Sequence, residues 1–268
     1  MTTKPPVTPR LSSTMLLLRQ REDMEVFMMV RHDEIDFASG ALVFPGGSVD
    51  PNDKTIVATP ELYATGGTSD PASLALRIAA IRETFEESGI LLARRAGSDA
   101  IIAADHASQV ETRYRTALCE GRVTFAEMLT DTGLVLALDM LVPFAHWITP
   151  VTVPKRFDTH FFLAAAPDDQ VGAHDGHESV DSIWASPRAV LQGADDGRFK
   201  VLFPTRRNIT KLGLQTTVAD ALETARRSTI VTVLPEVLSV EGRRALKIPV
   251  EAGYGGELFF SDLSAIRK

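Results

Sequence analysis

The chain has 268 residues, of which 44% are hydrophobic and 24% are charged, and its formal net charge is −7. This composition is typical of a folded globular protein, and the acidic balance argues against a nonspecific nucleic-acid binder, whose surface would be basic. The single cysteine, Cys119, excludes an internal disulfide and indicates a reducing compartment.

The first half of the chain predicts a few short strands followed by one long helix. Strand character is expected at residues 13–18, 26–31 and 42–44, the last run ending in a pair of glycines. Residues 51–70 are interrupted by proline and glycine, so they predict a loop with about one turn of helix. Ser69 or Asp70 is positioned to cap a helix whose first residue is Pro71.

In the second half, predicted helices and strands follow one another without a repeat or a low-complexity tract. Helices are expected over residues 101–118, 125–129, 187–192 and 218–226, the second of them capped by Thr124. Strands are expected at Val151 and Val153 and over residues 157–164, 229–233 and 245–249. Short hydrophobic runs mixed with amphipathic helices favour a layered α+β core.

Three carboxylates are clustered near the end of the predicted long helix. Glu83, Glu86 and Glu87 are spaced i, i+3 and i+4, so a helix places them on one face, where they repel one another. A hard divalent cation such as Mg²⁺ or Mn²⁺ would neutralise them, because clusters of carboxylates favour such ions. A solvated acidic helix surface is the alternative interpretation of the same pattern.

Together with the glycine pair, this acidic segment resembles the signature of the Nudix hydrolase family, G-x5-E-x7-R-E-U-x-E-E-x-G-U, in which U is an aliphatic residue. The matching residues are Gly47, Arg82, Glu83, Glu86, Glu87, Gly89 and Ile90. Thr84 at the first aliphatic position is a mild departure. Two larger departures are Asp53 in the place of the first glutamate and a spacer of 28 residues, Lys54 to Ile81, in place of seven.

The long spacer is similar to that of the Nudix branch that contains the peroxisomal coenzyme A and acyl-coenzyme A diphosphatases. In that branch an arginine followed by a glycine turn is linked with coenzyme A recognition, and Arg31 followed by Gly40–Gly47 is similar to this element. Residues 147–150 and 156–162 are similar to the later strands of the branch. The resemblance covers about residues 13–212.

The resemblance implies an α+β fold, the Nudix-type α/β/α sandwich, in which a mixed sheet lies between helices. We expect a single domain over residues 13–268, preceded by a flexible segment of residues 1–12. Two inserts enlarge this domain, a loop insert at about residues 54–71 inside the signature and a helical insert at about residues 101–131.

The resemblance also implies a metal site on the acidic helix. Glu83, Glu86 and Glu87 would hold Mg²⁺ or Mn²⁺ together with the carbonyl of Gly47, because a glycine turn lets the backbone approach an ion closely. The same residues would carry the catalysis, and Arg82 would belong to this set chiefly by orienting the glutamates.

A fourth acid often completes such a site from a late loop, and Glu178 is the first choice as ligand or general base. Asp175 and Asp181 are the alternates, and a plain loop acid is the competing interpretation. His174 and His177 give only a weak indication of zinc, because they lack a third ligand at metal-binding spacing.

Substrate contacts are expected at the glycine turn and at two arginines. Gly46 and Gly47 would lie close to the substrate. Arg31 and Arg156 are candidates for binding a phosphate, because the guanidinium fork suits it. Either arginine fits a surface ion pair equally well.

The resemblance implies a metal-dependent hydrolase that cleaves a diphosphate linkage in a nucleoside diphosphate conjugate. The leading substrate is coenzyme A or an acyl-coenzyme A, cut to 3′,5′-ADP and 4′-phosphopantetheine. An NADH or ADP-ribose pyrophosphatase and a catalytically silent nucleotide-binding module are the alternatives. Specificity resides in loops that the signature does not cover.

We expect a small-molecule nucleotide substrate as the partner, with no nucleic acid and no membrane, and a homodimer stays an open alternative. The sequence shows no recognisable N-terminal targeting segment. The chain ends in Ile266-Arg267-Lys268 and not in a peroxisomal address of the Ser-Lys-Leu kind. A cytoplasmic location is therefore the expectation.

Overall fold

The computed structural model describes residues 7–31, 40–172 and 179–260. The strands are β1 (Arg10–Gln20), β2 (Met24–Arg31), β3 (Leu42–Val43), β4 (Gly46–Ser48), β5 (Tyr63–Ala64), β6 (Ala93–Arg95), β7 (Leu134–Ala137), β8 (Val142–Ile148), β9 (Phe157–Ala165), β10 (Ser179–Ala185), β11 (Thr232–Val233), β12 (Glu236–Val240), β13 (Arg243–Lys247) and β14 (Leu258–Phe260). The helices are α1 (Pro51–Val57), α2 (Pro71–Ser88), α3 (Ala104–Cys119), α4 (Phe125–Thr132), α5 (Pro187–Asp195), α6 (Phe203–Leu212) and α7 (Val218–Arg227).

A mixed sheet of eight strands forms the centre of the molecule. The strand order is β10-β2-β1-β9-β8-β11, with β3 paired to β2 and β4 paired to β1. β1 runs parallel to β9 and β8 runs parallel to β11, whereas the other pairs are antiparallel. Parallel strands at the centre of a sheet are stable when both faces of the sheet are covered.

Helices cover both faces of this sheet, which gives the expected three layers. On β1, Met15 and Leu17 pack in a core with α2, while Leu16 and Leu18 pack in a second core with α5, α6 and α7. All four side chains are buried. The central strand is therefore apolar on both faces, and the predicted α/β/α sandwich with a mixed sheet is confirmed.

Local sequence signals set both ends of α2, the helix that carries the acidic cluster. Asp70 caps the helix, since its side chain accepts a hydrogen bond of 2.9 Å from the N–H of Ser73, and Pro71 is the first helical residue. Gly89 ends the helix in a left-handed conformation with a φ of 73°. A side chain at position 89 would also collide with Glu111, a carboxylate oxygen of which lies 2.5 Å from the place of a Cβ atom.

The two inserts pack against each other over the outer side of α2. β5 from the first insert pairs with β7, which follows the second insert, and β6 completes this small three-stranded sheet. α1 contacts both α2 and α4. Ile56, Phe125 and Met128 of the inserts are buried in the same core as Phe85 of α2. The inserts therefore bury a helix face that water would otherwise cover, at a gain of about 25 cal/mol per Å² of apolar surface.

Other helices form close to where the sequence predicts them. α3, α4, α5 and α7 overlap the predicted ranges, and Thr124 caps α4 through a capping box with Glu127. β1 begins at Arg10, inside the segment expected to be flexible, and the division into domains stays a prediction. Within the described ranges, none of the helices has both the length and the apolar character that a membrane crossing requires.

The loop insert is more helical than predicted. Residues 51–57 form about two turns of helix in place of about one. The reason is a capping box that Asp50 builds with Asp53, together with Ile56, which anchors the helix in the core.

Two segments of the second half also differ from the predictions. α6 has no counterpart among the predicted helices, because its buried apolar positions, Ile209 and Leu212, lie among polar residues. Val151 and Val153 lie in a turn region and not in a strand, and the N–H of Val153 donates to the carbonyl of Pro150 at 3.1 Å. Prolines on either side of the two valines disfavour a paired strand.

A buried hydrogen-bond chain attaches the C-terminal part of the fold to the sheet. The indole Nε1 of Trp147 donates to the Tyr254 hydroxyl at 2.8 Å, and that hydroxyl donates to Oδ1 of Asn208 at 2.7 Å. All three side chains are buried, so both bonds are shielded from water. Tyr254 thereby links β8 with α6.

Tyr254→Phe should lower the free energy of unfolding by about 1–3 kcal/mol, because it leaves the buried indole of Trp147 without its acceptor. Urea denaturation followed by circular dichroism measures this change. A loss below about 0.5 kcal/mol would contradict a stabilising role for the chain of bonds.

Candidate active site

Arg82 joins the acidic side chains of the site into one network. Its Nε and Nη2 atoms donate to the two carboxylate oxygens of Asp53 at 2.8 and 3.0 Å. Nη1 donates to Glu83 at 2.9 Å and to Glu86 at 3.2 Å, and Nη2 also donates to the carbonyl of Ser48 at 3.0 Å. Burial lowers the pKa of Arg82, but its acidic partners outweigh burial and raise the pKa above its ordinary value. The guanidinium stays charged and fixes the positions of the carboxylates.

Asp53 anchors this network from α1. Its side chain is fully buried, and besides Arg82 it binds the N–H of Asp50 at 2.7 Å as part of the helix cap. An aspartate is one methylene shorter than the glutamate of the family signature, and α1 brings its carboxylate within reach of the guanidinium. Both carboxylate oxygens of Asp53 bind protein donors, which supports an anchoring role over a place among the metal ligands.

The glycine turn lies directly against the acidic face of α2. The N–H of Gly46 donates to a carboxylate oxygen of Glu87 at 2.7 Å. A Cβ atom at Gly47 would lie 2.4 Å from the Glu83 carboxylate, and one at Gly46 would lie 2.4 Å from the carbonyl oxygen of Ser13. Glycine at both positions lets β4 and α2 approach as closely as the acidic cluster requires.

Glu86 lies in surroundings that oppose its negative charge. Burial raises the pKa of Glu86, Arg82 lowers it and Glu83 raises it again, with a result of about 7. A divalent cation would restore the ionised form. The acidic neighbours of Glu86 offer carboxylate oxygens, which are ligands that Mg²⁺ and Mn²⁺ prefer. The residues present therefore fit the ion that the family resemblance implies.

The helical insert supports the C-terminal end of the acidic helix. Arg115 of α3 donates from Nε to the main-chain carbonyl of Glu86 at 2.8 Å and forms an ion pair of 2.7 Å with Glu111. A cation at the last carbonyls of a helix is favourable because it faces the negative end of the helix dipole. Arg115 is not among the predicted site residues, and its only sequence signal is the i, i+4 spacing from Glu111.

A second polar cluster, absent from the sequence predictions, lies on neighbouring strands. Nε2 of His146 lies 2.5 Å from Oδ1 of Asp158, and the rings of His146 and His160 stack with centroids 3.9 Å apart. Burial, and then the neighbouring His146, lowers the pKa of His160 to about 4, so this imidazole is neutral near neutral pH. The alternation of Asp158 and His160 within a predicted strand is the signal that indicates a shared face.

The two arginines predicted to bind substrate have different surroundings. Arg31 ends β2, and its buried Nε atom has no hydrogen-bond partner among the described residues. Arg156 is buried, and its guanidinium donates to the carbonyls of Thr149 at 3.0 Å and of Val7 at 2.8 Å. Arg156 therefore ties the N-terminal residues to the segment before β9, and its contact with substrate stays a prediction.

The predicted late-loop acid falls within residues 173–178, which lie outside the described part of the chain, so its role stays a prediction. The residues concerned are Glu178, Asp175, His174 and His177. The alternate acid Asp181 lies in β10, where its side chain accepts a hydrogen bond of 2.8 Å from the N–H of Ser182.

Gly47→Ala should weaken Mn²⁺ binding about tenfold or more while the fold is retained, because the new methyl group displaces the flexible end of Glu83. Gly46→Ala should instead lower the free energy of unfolding by about 1–3 kcal/mol, because its methyl group meets the backbone of β1. Calorimetric titration with Mn²⁺ and urea denaturation separate the two effects. Equal Mn²⁺ affinity for Gly47→Ala and wild type would contradict the close approach.

Without metal, the titration of Glu86 should lower the free energy of unfolding as the pH rises from about 4.5 to about 7. The folded-state pKa of Glu86, about 7, lies above the ordinary value of 4.5, so the folded chain keeps a proton that the unfolded chain releases in this window. Glu86→Gln removes this titration. Between about pH 5 and pH 8, the free energy of unfolding of the variant should therefore rise relative to that of wild type, by an amount on the order of 2 kcal/mol. Urea denaturation in EDTA across this range is the measurement, and parallel pH profiles for both proteins would disprove the assignment.

Comparisons with known proteins agree with this geometry. The family model of the NUDT19 Nudix domain matches residues 54–212, more than half of the chain. The acyl-coenzyme A diphosphatase NUDT19 of Xenopus laevis is 25% identical over 207 residues, which cover 63% of this chain and 54% of that protein. Its human counterpart is 28% identical over 203 residues, which cover 62% of this chain and 54% of that protein. The chain thus spans about half the length of these curated relatives.

A solved structure shares the fold. The crystal structure of a Nudix hydrolase from Alicyclobacillus acidocaldarius matches with a TM-score of 0.66 and 27% sequence identity, over 83% of this chain and 99% of that chain. The same three-layer arrangement holds the acidic helix in the present chain. The chain therefore belongs to the Nudix hydrolase family and, within it, to the NUDT19 branch.

Proposed function

We propose that this chain hydrolyses the diphosphate linkage of coenzyme A or of an acyl-coenzyme A. The observation that carries the proposal is the match to relatives named acyl-coenzyme A diphosphatases in Xenopus laevis, Gallus gallus and Homo sapiens. The network of Arg82 with Glu83 and Glu86 supports a hydrolase over a silent binding module, because binding a nucleotide alone needs no such set of acids.

The reaction adds water across the P–O–P bond. The water oxygen bonds to one phosphorus atom, the bridging P–O bond breaks, and the leaving phosphate keeps the bridging oxygen. The products are 3′,5′-ADP and 4′-phosphopantetheine, or its acylated form when the substrate carries an acyl group. Negative charge on the transferred group has to be offset throughout the reaction.

The residues around the glycine turn supply the frame for this reaction. Glu83, Glu86 and Glu87 would hold a divalent ion together with the carbonyl of Gly47, and Arg82 acts as the positioning residue that fixes two of these carboxylates. When bound, Mg²⁺ or Mn²⁺ supplies charge neutralisation at the phosphoryl oxygens and a water of lowered pKa. Members of the family generally depend on a divalent metal ion.

Two further residues complete the proposed site. Glu178 accepts the proton of the attacking water, with Asp175 and Asp181 as the alternates. Arg31 binds a substrate phosphate. Its Nε atom lacks a partner among the described residues, and Met29, two residues earlier on β2, packs on the α2 side of the sheet. Since strand residues alternate between faces, Arg31 projects toward the side that carries the acids.

A substrate panel tests the proposal. Coenzyme A, acetyl-coenzyme A, a long-chain acyl-coenzyme A, NADH and ADP-ribose are compared with Mg²⁺ and with Mn²⁺, and the products are identified by mass spectrometry. We expect the highest kcat/KM for a coenzyme A compound, with 3′,5′-ADP as the common product. A far higher kcat/KM for NADH or ADP-ribose would overturn the substrate and leave the broader hydrolase proposal standing.

Glu86→Gln and Glu87→Gln should each lower kcat about 100-fold or more, which corresponds to about 2.7 kcal/mol of lost transition-state stabilisation. Each variant removes a charged ligand of the proposed ion. Glu61→Gln, the same change at an exposed position of the loop insert, is the matched control and should leave kcat unchanged. Near-normal turnover by both helix variants, with unchanged circular dichroism, would refute the role of the cluster.

A further inference from the structure

Two histidines and an aspartate outside the acidic cluster converge on one point of the sheet. Nε2 of His146 lies 2.5 Å from Oδ1 of Asp158, and Nε2 of His160 lies 3.7 Å from the same oxygen. One ligand atom from each of the three residues lies within 4.8 Å of the others, a spacing that a single metal ion can bridge. The three side chains are partly exposed, so an ion can reach them from solvent.

Strand register accounts for this convergence. Asp158 and His160 are two residues apart on β9, which places both on one face of the sheet. His146 of β8 is the direct partner of His160, and Thr232 of β11 is the direct partner of His146. The Oγ1 atom of Thr232 lies 2.8 Å from Nδ1 of His146. A bond at Nδ1 orients Nε2 toward Asp158, and metal-binding histidines commonly have such support.

The cluster faces the same side of the sheet as the acidic face of α2. Ser13 of β1 is the direct partner of both Gly47 and His160, so these three residues share one face. With neighbouring strands about 4.8 Å apart, the Cα atoms of Gly47 and His160 are about 10 Å apart. Ser13 is fully buried between them, and its hydroxyl has no hydrogen-bond partner within the described ranges. A water or ligand atom held between the two clusters would satisfy this hydroxyl.

We infer that His146, Asp158 and His160 bind a divalent transition-metal ion of the Zn²⁺ type. Two imidazole nitrogens and one carboxylate oxygen suit Zn²⁺ or Co²⁺, whereas Mg²⁺ prefers a set of oxygen ligands. Three protein ligands leave a coordination position open, as in catalytic zinc sites. Without metal, a short hydrogen bond joins His146 to Asp158, and metal binding would replace it.

Co²⁺ is the probe for this site, because its visible absorption becomes much stronger in a site with four or five ligands than in water, while Mg²⁺ gives no absorption. The full chain is stripped of metal with a chelator and titrated with Co²⁺ in an excess of Mg²⁺. We expect a visible band that saturates at about one Co²⁺ per chain and is lost when Zn²⁺ is added. His160→Asn and Asp158→Asn should each weaken Co²⁺ binding about 100-fold or more, because each removes a ligand.

Three further variants distinguish a metal ligand from a structural contact. His106→Asn, which removes an imidazole from α3, is the matched control and should leave the band intact. Thr232→Val keeps all three ligands and removes only the hydroxyl that supports His146. It should weaken Co²⁺ binding by about 10-fold to 100-fold. A double variant with Glu86→Gln and Glu87→Gln should keep the band.

The inference is overturned if wild type shows no band, if His160→Asn leaves Co²⁺ affinity unchanged, or if the double variant at Glu86 and Glu87 abolishes the band. The titration does not measure hydrolysis. The result of the Co²⁺ titration is therefore independent of the substrate panel. Failure of the proposed function would not change the Co²⁺ affinity.

Discussion

The buried ion pair between Arg82 and Asp53 is the contact on which the acidic site depends. Both groups are almost fully removed from water, which costs several kcal/mol per ion unless geometry and hydrogen bonds repay it. Two parallel bonds to Asp53 and a third to the carbonyl of Ser48 provide that compensation. Removing one partner would leave a buried unpaired charge, at a cost of about 3–5 kcal/mol. One guanidinium thus fixes α1, the glycine turn and α2 relative to one another, and Glu83 and Glu86 take their positions from it.

Both inserts contact the acidic helix and fix its position. At the signature end, α1 presents Asp53 to the guanidinium of Arg82, and at the other end Arg115 of α3 binds the main-chain carbonyl of Glu86. Between these points the inserts bury the outer face of α2, around Phe85. The acidic face of α2 is therefore the side of the helix that contacts the glycine turn and solvent. Substitutions in the inserts can alter the site by moving the helix, without any direct contact to substrate.

The acidic helix could be predicted from the sequence because all its signals are local. The cap at Asp70, the terminal Gly89 and the glutamate spacing lie within one continuous segment, and the family resemblance supplied the sandwich around it. The contacts that attach the acidic helix and the second cluster to the rest of the fold did not follow, because they join residues far apart in the sequence. Asp53 and Arg82 are 29 positions apart, and His146 and Thr232 are 86 positions apart. Such pairs depend on strand register and helix packing, which no local pattern specifies.

One face of the central sheet changes from apolar to polar along its strands. On β1, Met15 packs beneath α2, whereas Ser13 on the same face lies beside Gly47 and His160. Burying a polar group costs free energy unless it is bonded, and the buried hydroxyl of Ser13 has no hydrogen-bond partner among the described residues, so a ligand or an ion beside it would offset that cost. Carboxylate oxygens lie on one side of Ser13 and imidazole nitrogens on the other. The two proposed ion sites therefore differ in chemical hardness, because one consists of oxygen ligands and the other contains two imidazole nitrogens.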